Sequence, residues 1–321
     1  MNFQSLLRRT LRSITLQNTC NNSIHTNSLL FGNKKKAIGE HLYGLYPCLA
    51  AVTMNRRIIH KIYIREDKDS QDGDKNRNRE LGIKSFRRYE LFKYAESNNI
   101  PIVNVTSTEM DRISGDRPHQ GVAMDVSPLV VQDITLKEIE TDSALSVNNS
   151  PPIWLFLEEI RDPMNMGAIL RSSKYFGVDR VILSPRCSRL SPVVSKASAG
   201  AMETLDIRAI ASTTKFLWYC SRYWSIIGTC SPVEEENLYQ TVQIGDLDEL
   251  RIEKPTLILF GNEGDGLSED IAQYCHSMLS IQPWGELPEG IDSLNVSVSA
   301  ALILHKVSTV RPRNVEMADQ N

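Results

Sequence analysis

The chain has 321 residues, 41% of them hydrophobic and 23% charged, with a formal charge of −3. This is an ordinary globular composition with room for two domains, and no apolar run approaches the roughly 20 residues that a membrane-spanning helix needs. The six cysteines are scattered, without a CxxC pair, which argues against a zinc site or a disulfide framework and suits a reducing compartment.

Residues 1–38 stand apart. Arg8, Arg9, Arg12, Lys34, Lys35 and Lys36 lie among many Ser, Thr and Asn, and no acidic residue precedes Glu40. Arg-rich, Ser-rich and acid-poor is the composition of a mitochondrial transit peptide; a disordered basic arm is the blander reading. Import into the matrix with cleavage before Gly39 is the expectation. Losing those six charges takes the formal charge from −3 to −9, so nucleic acid would have to be met by local basic patches rather than a global field.

Residues 39–128 read as a small α/β domain. PCLAAVTMN is helical in pattern, IIHKIYIR strand-like, YELFKYAESNN helical and IPIVNVT a strand. A short helix around Ser107–Ile113 and a closing strand, GVAMDV, follow. Between Arg56 and Lys93 there are twelve Lys or Arg against seven Asp or Glu. Such a run is commonly a solvated face, but Arg56, Arg57, Arg87 and Arg88 are candidate phosphate contacts. Residues 129–152, polar and ending in NNSPP, read as a linker.

Across 153–311 short apolar strands alternate with helices, the pattern of a mostly parallel sheet covered on both faces; 312–321 is a tail. The strands are IWLFLEE, RVILS, IRAI, WSIIGTC, TLILFGN and MLSIQP, and helices follow Asn165, Ser191, Ser212, Ser268 and Ser293. Ser293 is a natural cap for the last of these. Asp162, Pro163, Asn165 and Gly167 punctuate a turn after the first strand, and Arg171 follows within the helix. The Gly-rich run from Gly261 to Gly266 directly follows TLILF, where a loop at a strand's carboxyl end lets a ligand approach the backbone. It is neither a Walker loop nor a GxGxxG fingerprint.

DPMNMGAILRSSKYFGV, LFGNEGDGLSEDI and SLNVSVSAALILH resemble, in order and spacing, the three motifs of the SpoU/TrmH family, RNA ribose 2′-O-methyltransferases of the SPOUT superfamily. The resemblance covers 153–311. GEHLYGLYPCLAAV and HQGVAMDV resemble the small substrate-binding domain, of ribosomal-protein-L30e type, that many members carry in front. ELPEGIDSLNVSVSAALILH, with the N-terminal arm, looks most like a mitochondrial branch whose product is a 2′-O-methylguanosine in the peptidyl-transferase region of the large-subunit rRNA.

The resemblance implies a parallel α/β sheet ending in a C-terminal trefoil knot, S-adenosylmethionine bent within it, no metal, and a homodimer whose two subunits complete each site. Gly261, Ile281 and Leu294 match the usual cofactor-contacting positions, with Asn262, Gly264 and Ser297 beside them. Ile281-Gln282-Pro283-Trp284 departs from the commoner Ile-Pro-Met form, and the segment to Ser293 runs longer.

A ribose hydroxyl needs deprotonation or a stabilising cation to act as a nucleophile. Arg171 is the charged group that the motifs offer. The resemblance puts it on the 2′-hydroxyl; with a pKa above about 12 it suits holding phosphate and oxyanion first, and taking the proton only second. Asn165 reads as an orienting partner or a helix cap, Glu263 as a brace or a surface carboxylate. Ser293 and Asn295 read as contacts to the methionine end of the cofactor or to the ribose. A tRNA target, or a catalytically inactive assembly factor, are the competing readings.

Overall fold

Two runs set the architecture: IWLFL is apolar at every position and TLILF at all but its first, so a strand made of either must be covered on both faces. In the computed structural model they are β6 (Ile153–Leu157) and β11 (Thr256–Phe260), every residue buried. They pair in parallel with Leu155 opposite Ile258. The structure describes residues 38–66, 88–144, 150–232, 244–262, 264, 266–286, 288 and 291–312.

The larger sheet has eight strands. Besides β6 and β11 it contains β5 (Gln132–Asp133), β7 (Arg180–Leu183), β8 (Ile207–Ala209), β9 (Ser225–Cys230), β10 (Ile244–Asp246) and β12 (Ser277–Ser280), in the order β10-β12-β9-β11-β6-β7-β8-β5. All its pairings are parallel. From β6 the chain steps outward through β7 and β8, then resumes across β11 with β9, and the crevice at such a reversal, outside the strands' carboxyl ends, is where open α/β sheets bind ligands.

A smaller sheet is formed by β1 (Glu40–Tyr43), β2 (Ile59–Arg65), β3 (Ile102–Val105) and β4 (Val122–Val126) in the order β1-β4-β2-β3. Its helices are α1 (Leu45–Met54), α2 (88–97) and α3 (Ser107–Ser114). A capping box between Thr106 and Glu109 starts α3. The strand β1 carries no alternation strong enough to announce itself; β4 supplies its pairing.

Covering one face of the large sheet are α5 (Pro163–Tyr175), α6 (Pro192–Ala197), α7 (Ala201–Thr204) and α10 (Val296–Val310). On the other face lie α4 (Leu136–Ala144), α8 (Thr213–Cys220) and α9 (Glu269–Ala272). Residues 129–152 are thus not a plain linker: β5 extends the sheet beside β8 and α4 buries Ile139 in the core. A two-residue strand has no periodicity to read, and its neighbour alone defines it. Residues 1–37 and 313–321 lie outside the described residues.

The two sheets are joined by a buried ion pair. Arg57 donates from Nε to Glu203 Oε2 at 2.8 Å and from Nη2 to Glu203 Oε1 at 2.9 Å, with no side-chain surface exposed on either residue. Its Nη1 donates to Ser127 O and pairs with Glu40, while the Ser195 hydroxyl donates to Glu203. The neighbouring Arg56 donates to the carbonyls of Glu203 and Leu205. The expectation that Arg57 contacts phosphate is therefore corrected, its guanidinium being spent inside the protein, while the part-buried Arg56 commits its Nη1 to the backbone at the end of α7. Gly200, at φ 86°, allows α1 to sit close, since a Cβ there would lie 2.9 Å from both Ala50 Cβ and Tyr46 O.

Arg57→Ala should lower stability by about 3–5 kcal/mol, because it leaves Glu203 as a buried carboxylate without its cation. Urea unfolding followed by circular dichroism measures this, and Arg56→Ala, which removes only a partly buried contact, should cost distinctly less.

Candidate active site

The site forms where three carboxyl ends of parallel strands meet. A cavity of about 640 Å³ is bounded by the end of β9 at Thr229 and Cys230, by Gly261 and Asn262 after β11, by Ile281 after β12, and by Ser293–Val296 leading into α10. Ser299 and Ile303 of α10 close its side.

Gly261 is buried and has no room for a side chain: a Cβ there would lie 2.2 Å from the carbonyl carbon and oxygen of Gly266. The loop doubles back on itself, Asn262 and Gly266 exchanging backbone hydrogen bonds at 3.2 Å while Gly264 N donates to Asn262 Oδ1. Gly261, Asn262, Gly264 and Gly266 of this loop line the cavity, and three of the four have no side chain to keep a ligand from the backbone.

Helix α5 begins where Asp162 accepts from the N–H groups of Met164 and Asn165, with Pro163 in the first turn. Asn165 is therefore inside the helix and free of the capping role. It lies instead against the other motif: Asn295 Nδ2 donates to Asn165 Oδ1 at 3.2 Å. Asn295 also caps α10, its Oδ1 accepting from Ser297 N at 2.9 Å and from the Ser297 hydroxyl. The cap is thus Asn295, not Ser293. Both residue types cap well, and Ser293, two positions further out, is left exposed at the rim of the cavity.

Of the expected cofactor contacts, Gly261, Asn262, Gly264, Ile281 and Leu294 line the cavity, whereas Ser297 supports Asn295 from behind. Glu263 and Arg87 lie outside the described residues. Arg88 donates to Gln120 O from the exposed side of the small sheet. Arg171 is exposed, makes no ion pair or hydrogen bond among the described residues, and is not part of the cavity wall. Six positions after Asn165 it is turned about 240° round the helix, on the outward stripe with Met164 and Tyr175. Thr229 and Cys230 were not singled out from sequence; their place at the end of a parallel strand was the available signal. Buried Glu158, pushed above the ordinary carboxyl range by its burial and opposed by the Thr213 hydroxyl, braces α8 outside the cavity.

Among the described residues no group of three or more His, Cys, Asp or Glu could hold a metal ion, and no helix is long and apolar enough to cross a membrane.

Comparison with known families finds two matches in order. Residues 41–131 match the RNA 2′-O ribose methyltransferase substrate-binding model, and residues 152–305 match the SpoU rRNA methylase family model. A human relative, mitochondrial rRNA methyltransferase 1, is 37% identical over 275 residues, covering 85% of this chain and 73% of its own length. The chain belongs to the SpoU methylase family. It is an RNA methyltransferase. A second member, the 23S rRNA (guanosine-2′-O-)-methyltransferase RlmB of Coxiella burnetii, is 27% identical and covers 85% of this chain and 96% of its own. The fold is similar to that of the AdoMet-bound rRNA methyltransferase from Sinorhizobium meliloti, with a TM-score of 0.60 at 17% identity over 84% of this chain and 87% of that one.

Two substitutions separate support from chemistry at this site. Asn295→Ala should cost about 1 kcal/mol of stability through the lost cap and lower methyl transfer as well. Asn165→Ala leaves both caps intact, so its unfolding midpoint should stay near wild type while methyl transfer falls at least tenfold; thermal melts beside a tritiated-methyl incorporation assay distinguish the two.

Proposed function

We propose that this chain transfers a methyl group from S-adenosylmethionine to the ribose 2′-oxygen of a guanosine in mitochondrial large-subunit rRNA, in the peptidyl-transferase region. The observation that carries the reading is the cavity in which the Gly261 loop, Ile281 and Ser293–Asn295 converge, with Asn295 bonded to Asn165. The names of the human and Coxiella relatives support the compartment and the base.

The residues present suit the cofactor. Gly261 lets the loop fold tightly back on Gly266 at the cavity edge, the Phe260, Leu279 and Ile303 side of the cavity is apolar enough for an adenine, and the N-terminus of α10 favours a carboxylate. When bound, S-adenosylmethionine supplies an activated methyl group, so the protein's task is position and a path for the proton. Asn165 and Asn295 orient polar groups at the rim. Arg171, permanently charged, holds the RNA phosphate and the developing oxyanion, with Glu263 as its brace. The RNA itself is gripped first by the small domain, where Arg87 and Arg88 remain the candidate phosphate contacts.

Arg171 reaches a cavity only if two copies pair. Met164 and Tyr175 on α5 and Val298 and Leu302 on α10 are exposed large hydrophobics on two helices that pack together, and a patch of this kind marks an interaction surface. A homodimer through that face would carry each Arg171 toward the other subunit's site. A knotted C-terminal backbone is part of the same reading, favoured by the convergence of the segments after β11 and β12 on one cavity.

Arg171→Ala should abolish ribose methylation while S-adenosylmethionine binding, read by calorimetry, stays within about twofold of wild type; full activity in that variant would remove Arg171 from the mechanism. Val298→Glu with Leu302→Glu should yield a folded monomer by light scattering, inactive for want of the second subunit's arginine. Mapping 2′-O-methylation across mitochondrial rRNA with and without the protein identifies the nucleotide.

A further inference from the structure

The turn between β6 and α5 contains a feature that neither the cavity nor the small domain uses. Glu159 adopts φ 54°, a left-handed conformation that strains a residue bearing a side chain. Its N–H accepts the constraint by donating to Ser184 Oγ at 3.0 Å. Its carboxylate, 10% exposed, holds Arg161 on Oε2 and Arg186 on Oε1, while those two side chains are 63% and 69% exposed. Exposed ion pairs contribute little to stability, which makes the strained backbone a poor exchange if stability were its purpose.

The position of this cluster follows from backbone hydrogen bonds. Glu158 N donates to Phe260 O at 2.8 Å, so the turn starts beside the residue preceding Gly261. Three residues after Glu159 comes Asp162, the cap of α5, and then Asn165. The loop after β7 is stitched to the same turn by Ser184 N to Leu157 O at 3.1 Å and Ser188 N to Ile160 O at 2.7 Å. These bonds bring Arg186 alongside Arg161, at the carboxyl edge of the sheet that carries the cavity. Arg189, exposed on that loop, adds to the positive charge.

We propose that Arg161 and Arg186, braced by Glu159, form a phosphate clamp that holds the substrate RNA backbone beside the methylation site. Glu159 is shared by Arg161 and Arg186 and the buried Glu158 also acts on Arg186, so the charge the cluster presents outward comes from the exposed faces of Arg161, Arg186 and Arg189. A guanidinium has five donors in a rigid fork, so an edge committed to Glu159 leaves others directed outward. That fork matches phosphate oxygens two at a time, and a carboxylate that fixes two forks in advance removes the ordering that loose surface arginines would need on binding. The clamp rests on the proposed action on RNA and adds to it a second contact point, separate from Arg171 and from the small domain.

The test uses the full chain and an rRNA fragment containing the methylated nucleotide, with binding measured by fluorescence anisotropy from 50 to 300 mM salt. Each of Arg161→Ala and Arg186→Ala should weaken binding several-fold and reduce the slope of log affinity against log salt by about one unit. Cofactor affinity and the melting midpoint should not move. Arg161→Lys with Arg186→Lys should restore the slope but not the full affinity, since an ammonium keeps the charge and loses the fork. An unchanged affinity and slope in the double alanine variant, with the wild type binding and methylating normally, would sink the clamp alone. A wild-type chain that neither bound the fragment nor methylated it would overturn the underlying reading and the clamp with it.

Discussion

The placement of the small domain depends on one desolvated ion pair. Taking Arg57 and Glu203 out of water costs several kcal/mol per ion, and the cost is offset only because the guanidinium meets both carboxylate oxygens and because Ser127, Glu40 and Ser195 occupy remaining sites. Such a pair tolerates little rearrangement: shifting either side by an ångström would strand a charge in the interior. The described residues from Gly39 onward accordingly cluster as one compact unit. The close seat of α1 over Gly200 works in the same direction. The front domain, which matches the substrate-binding family model, is thereby held in fixed register with α6 and α7, and through them with α5, which carries Asn165 and Arg171.

The cavity is built by a different principle. None of its walls belongs to one stretch of sequence; the parallel sheet delivers three carboxyl ends to one edge, and the loops that follow them have nowhere else to go. Gly261 then decides how tightly the loop after β11 can fold, since a Cβ there would run into the Gly266 carbonyl. The amide of Asn295 links the entry to α10 with the first turn of α5, so two motifs separated by 130 residues are bonded side chain to side chain above the core their helices share.

Much of this was legible in the chain. The apolar runs of β6 and β11 announced a sheet buried on both faces, and Ser191, Ser212 and Ser268 each stand at a helix N-cap. What local reading missed depended on distant partners. Arg57 sits in a basic run that reads as surface, and nothing near it discloses Glu203, 146 positions away. The strand β5 exists because β8 offers it an edge. Ser293 and Asn295 are both capping types, and the choice between them was made by the Asn295 side chain reaching Ser297 N. In the Glu159 turn the sequence shows one arginine among acids, and only the folded chain brings Arg186, from the loop after β7, to the same carboxylate.

The sheet's outer limit has a consequence of its own. At β5 the eighth strand is two residues long, Gln132 and Asp133, both exposed, and α4 begins three residues later. A strand edge that short, bearing an acid, offers an incoming chain almost no ladder to join. Growth of the sheet by end-on addition is therefore blocked on that flank, and an entirely parallel sheet avoids the runaway stacking to which long bare edges expose such folds.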